Sequence, residues 1–138
     1  MARVNRHKNW LHSNWPDPWR SAWAVAVEKG DVFRAGGPAT RLAPRSVWNN
    51  EMAFGRYFEF LTQNGMELIG PTPALDQLRA FALQLGETIA PSSVMANLSQ
   101  VIAAIRLMYP KVDLQDANSA IQRYATQVRP VRPVARRK

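Results

Sequence analysis

The sequence predicts a small all-α protein: a four-helix bundle, an extra short helix in front of it, and basic arms at both ends. Three observations carry that expectation. From residue 45 to residue 128, apolar side chains recur at three- and four-residue intervals, the period of a helix with one buried face. No segment alternates with the period of two that a half-buried strand needs. Prolines, glycines and short polar residues divide the stretch where helices start and stop. With 138 residues, 46% of them hydrophobic, the chain is long enough for one core and too short for two comfortable ones.

The first element lies in WPDPWRSAWAVAVEKGD. Asp17 is suited to cap a helix, Pro18 to its first position and Gly30 to its end, which predicts a helix from Pro18 to Lys29. Trp19, Trp23 and Val27 share one face of it at four-residue spacing, a face expected to lie on the main body. Residues 30–44, with Gly36, Gly37, Pro38 and Pro44, read as an irregular connection. They divide the chain into a lead-in (1–44), a bundle (45–128) and a tail (129–138).

The bundle opens with RSVWNNEMAFGRYFEFLTQNG, where Trp48, Met52, Gly55, Phe58 and Leu61 form the predicted inward face and Asn64–Gly65 the stop. In TPALDQLRAFALQLG, Thr72 is the expected cap and Pro73 the first position. Leu75, Leu78, Ala82 and Leu85 point inward, and Gly86 terminates. IAPSSVMANLSQVIAAIRLMYP follows, its Val94, Leu98, Val101, Ile102, Ile105 and Met108 on one stripe, closed where Pro110 pushes Tyr109 out of the helical region. The last helix runs from about Leu114 to Gln127 behind Asp113 as cap, with Leu114, Ala117, Ile121, Tyr124 and Val128 along its seam. Pro130 and Pro133 then impose an extended tail.

Charge sits in the arms. The chain carries a net +8, and Arg3, Arg6 and Lys8 before residue 13, with Arg129, Arg132, Arg136, Arg137 and Lys138 at the end, account for all of it. The body between is formally neutral. A polyanion is the expected partner, met first by unopposed arginines that hold phosphate without a fold. Cysteine is absent, and His7 and His12 lie in the polar N-terminal arm, so no metal site or disulfide is expected. With no Gly-rich phosphate loop and no acid–histidine cluster, no enzyme, cofactor or small-molecule substrate is expected. The start has no apolar run behind its charges and no segment approaches a membrane span, which predicts a cytoplasmic protein.

GRYFEFL in the first bundle helix, TPALDQLRAFALQL after a short link, SSVMANLSQVIAAIRLMYP, and then VDLQDANSAIQRY together resemble the N-terminal, SAM-like core-binding domain of tyrosine recombinases of the phage-integrase type. The resemblance covers Trp48 to about Val128, and WPDPWRSAW and GDVFRAGGPATRLAP look like the lead-in of some bacterial integrase-like proteins. It implies a four-helix SAM-like fold that clamps double-stranded DNA in DNA integration and recombination, with a recombinase protomer or another protein as further partner. The family's catalytic His-x-x-Arg and Tyr elements have no counterpart before Lys138, so no residue here inherits a catalytic role. Tyr57, Tyr109 and Tyr124 read as packing.

Each candidate contact has an ordinary reading beside the functional one. Ser92 and Ser93 can cap the third bundle helix, or can offer hydroxyls and N–H groups to a phosphate. Asn97 stands where many members of the resembling family carry a basic residue; it can bond phosphate or a base edge but releases no counterion. Thr72 reads first as a cap. Arg79, Arg106, Lys111 and Arg123 are solvated charges unless the bundle gathers them. Arg45 and Arg56 are weaker candidates, because Glu51 and Glu59 stand at helical spacing from Arg56. Trp10, Trp15, Trp19 and Trp23 fit core anchoring better than base stacking. The rival reading is a helical protein–protein interaction module with no DNA role, supported by the neutral body and a tryptophan-rich lead-in able to anchor a partner.

Overall fold

A computed structural model describes residues 11–128. Its regular structure is entirely helical: α1 (Trp19–Ala26), α2 (Pro44–Gln63), α3 (Leu75–Leu85), α4 (Pro91–Met108) and α5 (Gln115–Val128), with 3-10 turns at His12–Asn14 and Pro38–Arg41. The apolar stripe of α4 explains the arrangement. Val94, Leu98, Val101, Ile102, Ile105 and Met108 are all buried, and α4 touches each of the other four α-helices. It is the axis around which the bundle forms.

The lead-in packs into that same core. Trp15, Trp19, Trp23 and Ala26 are buried, with the Trp15 and Trp19 rings 4.8 and 5.2 Å from Phe54 and the Trp19 ring 5.4 Å edge-on to Tyr109. The Trp23 indole N–H donates to Glu51 Oε1 at 2.7 Å, so its one polar atom is satisfied where the ring is buried. These three tryptophans are therefore not surface anchors for a partner. Trp10 lies outside the described residues, as do His7 and the arm cations before residue 11.

The inward face of α2 is rotated from the predicted one. Ala53, Phe54, Tyr57, Phe60 and Leu61 are buried, whereas Trp48 is 51% exposed and Met52 and Phe58 are only partly covered. Lying against both α4 and α3, α2 offers two competing apolar stripes, and spacing alone does not rank them. On α3, Leu78, Phe81 and Ala82 are inside and Leu75 is exposed; on α5, Ala117 and Ile121 are inside, as is Leu114 just before it.

Helix ends depart from expectation for local reasons. Pro18, not Asp17, holds the cap position of α1; Asp17 stands one residue earlier, its Oδ1 accepting the Ser21 hydroxyl at 2.6 Å and the Ser21 N–H at 3.2 Å, which holds its carboxyl pKa below the usual value. The helix ends at Ala26 rather than beside Gly30. A Cβ on Gly37 would lie 2.2 Å from the carbonyl oxygens of Val25 and Ala26, so glycine is what lets the connection pass beneath α1. Thr72 does not cap α3, which starts at Leu75 behind Ala74 with no side-chain cap. The preceding loop is instead pinned by the Gln77 side-chain amide, which donates to Glu67 O at 2.9 Å. Asp113 performs as expected, accepting the Gln115 N–H at 3.0 Å.

Candidate nucleic-acid interface

Ser92 and Ser93 occupy the exposed first turn of α4. The residue in the cap position is Ala90, Pro91 follows it, and no side chain caps the helix. The capping reading of the two serines is thereby corrected: their hydroxyls stand at the positive end of the helix macrodipole without being spent on its N–H groups. The Ser93 and Val94 N–H groups turn back to Ala90 O at 2.9 and 3.0 Å.

One turn on, Asn97 is a bridge. Its Nδ2 donates to Ser93 O at 2.9 Å and its Oδ1 accepts from Arg56 Nη1 at 3.0 Å. Arg56 belongs to α2, so the α2–α4 packing delivers a cation to the place where α4 itself has only Asn97. Burial lowers the Arg56 pKa, but a guanidinium stays protonated, so the charge is half-buried and held in place. Of the two acids expected to offset it, Glu51 is turned to Trp23, and Glu59 is a buried acid that stays three residues along α2 from Arg56. Spacing within α2 could not reveal that Arg56 reaches α4, because the contact joins residues 41 positions apart.

The helix-face cations do not form one patch. Arg106 lies in the last turn of α4 and Lys111 just beyond it, both exposed, about 20 Å along the axis from Ser93 at 1.5 Å per residue. Thr72 is exposed in the loop before α3. Arg79 and Arg123 both line a 340 Å³ groove between α3 and α5, together with Leu78, Leu98, Ile121 and Tyr124. Arg45 places its guanidinium carbon 5.8 Å from the centroid of the exposed Trp48 ring.

Arg129, Arg132, Arg136, Arg137 and Lys138 lie outside the described residues. Their point of departure is described. The Tyr124 hydroxyl is 3.7 Å from where a Cβ on Gly86 would sit, so the last turns of α5 run beside the α3–α4 connection, at the end of the bundle that carries Ser92 and Ser93.

Burial pushes the phenol pKa of Tyr57 well above its ordinary value and raises that of Tyr109. Both are neutral at physiological pH, and Tyr57 packs between Phe54 and Phe81. Among the described residues no helix is long and apolar enough to cross a membrane. No family model, curated protein or solved structure matches the chain.

Proposed function

We propose that this chain is a duplex-DNA-binding bundle equivalent to the core-binding part of a tyrosine recombinase, serving DNA integration and recombination in the cytoplasm without catalysing strand exchange itself. The observation that carries the reading is the Arg56–Asn97–Ser93 arrangement at the start of α4. It combines a fixed cation, two uncommitted hydroxyls and the positive end of an 18-residue helix, a combination suited to a phosphate oxygen. The described chain ends with α5 near this turn, and the cations that follow in sequence would add phosphate contacts of their own, each releasing counterions.

Contacts of this kind position a protein on DNA without reading its sequence. The proposal is therefore sequence-tolerant binding, weak in the neutral body and strengthened by the arms. Affinity of the full chain for a random-sequence duplex at several salt concentrations tests it: a negative log–log slope of several units supports the reading, and absence of binding at low salt refutes it.

A further inference from the structure

The connection between α1 and α2 is an ordered, closed loop. The Gly37 N–H donates to Glu28 O at 2.8 Å, and a Cβ on Gly30 would run into Gly36 N, so the chain leaves and returns through one narrow neck. At the tip the Asp31 N–H donates to Arg34 O at 2.8 Å, and Asp31 Oδ1 accepts the N–H groups of Phe33 and Arg34 at 2.8 and 2.9 Å. That bonding holds Phe33 92% exposed beside an exposed Arg34. Nothing in the core calls for an aromatic ring fixed in water.

A second exposed ring lies at the same end of the bundle. Trp48, half-exposed on α2, has the Arg45 guanidinium carbon 5.8 Å from its ring centroid. The Trp23–Glu51 bond joins the last turn of α1 to the α2 turn that follows Trp48, and Gly37 passes beneath Val25 and Ala26, so the loop springs from beside the start of α2. From residue 32 to residue 50 the chain carries three cations, Arg34, Arg41 and Arg45, all exposed, and no acid. With the flanking residues 28–31 and Glu51 included, four cations meet three acids. Of those acids, Glu51 is turned to Trp23 and Asp31 to its own turn. The three cations of the acid-free stretch are all arginine, the side chain that suits phosphate and also stacks on rings.

Exposed aromatic rings interleaved with arginines are the chemistry that recognises unpaired bases: the rings stack on base faces while the guanidiniums follow the phosphates. A duplex hides those faces, so such a surface has a different ligand from the α4 end. We infer that the α1–α2 connection and the first turns of α2 bind single-stranded DNA, with Phe33 and Trp48 as the stacking rings and Arg34, Arg41 and Arg45 on the backbone. The hydrogen-bonded tip loses little freedom on binding. None of these residues carries the duplex reading, so the two can fail separately.

Affinity of the full chain for a thymidine oligonucleotide and for an abasic strand of the same length tests the inference. The two strands carry the same phosphates, so the basic arms bind them alike and the difference reads stacking. The parent is expected to prefer the thymidine strand by roughly tenfold for each ring. Phe33→Ala, which removes a ring that packs on nothing, should lose about one such step. Adding Trp48→Ala should abolish the preference while affinity for the abasic strand and the salt slope stay unchanged. Replacing Arg34, Arg41 and Arg45 with glutamine should flatten the slope for the thymidine strand by up to about 2.1, at 0.7 for each lost contact. A parent that binds both strands equally, a double variant that keeps the preference, or tighter binding of an oligouridine strand overturns the inference. Equal binding of the two strands combined with ring-dependent binding to phosphatidylserine vesicles would assign the surface to a membrane instead.

Discussion

Arg56 Nη1 donates to Asn97 Oδ1 at 3.0 Å, so the cation at the start of α4 is contributed by α2. Asn97 is thus both the strut of a half-buried guanidinium and a bond to the backbone of Ser93. Asn97→Ala removes both bonds. A destabilisation of about 1–3 kcal/mol is expected, measured by urea denaturation, together with weaker duplex binding. Asn97→Lys adds a cation beside Arg56: stability should fall, while the salt slope steepens by about 0.9.

The Trp23–Glu51 bond joins the lead-in to α2 at 2.7 Å. Trp23→Phe keeps most of the apolar surface but deletes the donor and leaves a small void. A loss of roughly 2–4 kcal/mol is expected from the two effects. If the variant denatures at the same urea concentration as the parent, the lead-in is not an energetic part of the core.

Tyr57 sets the alkaline limit. Its folded pKa is raised by burial, so the stability tied to the neutral phenol is complete below the unfolded value near 10 and is lost as pH climbs from there toward the folded value. Stability should be flat through neutral pH and then fall by about 1.4 kcal/mol per pH unit above pH 10 for this group. Tyr57→Phe should flatten that branch, apart from the contribution of Tyr109, which shifts in the same direction. An unchanged alkaline branch would place its cause elsewhere.

Gly37→Ala sets a methyl group 2.2 Å from two backbone carbonyl oxygens that cannot turn aside. The connection must move away from α1, at a cost of about 1–3 kcal/mol. A melting temperature equal to the parent's would show that the passage is looser than the distances indicate.

The most legible element in the sequence was α4, because a helix surrounded by partners needs an unbroken stripe and its six apolar positions leave one phase. Its neighbour α2 was misread: Trp48 and Phe58 compete with Phe54 and Tyr57 for the inward face, and the choice depends on where α3 and α4 lie. Thr72–Pro73 imitated a helix start, yet α3 begins two residues later, after a loop held by Gln77, a long-range bond with no local signature. Ser92 and Ser93 were legible as the first turn of α4, since a Pro-Ser-Ser start is a local signal, and Asn97 as the residue one turn on. The Arg56 contribution was not, and neither was the groove that Arg79 and Arg123 both line, because each depends on packing between separate helices.

The most direct measurement of the central claim is the salt dependence of affinity for one random-sequence duplex, made on the full chain, on its Arg129, Arg132, Arg136 and Arg137 quadruple alanine variant, and on that variant with Arg56→Gln. The quadruple substitution should remove most of the affinity and flatten the slope by up to about 3.6, at 0.9 for each lost phosphate contact. Residual binding by the α4 end should persist and weaken again when Arg56 is lost. A quadruple variant that binds as tightly as the parent, or a parent that does not bind the duplex at low salt, would contradict the account.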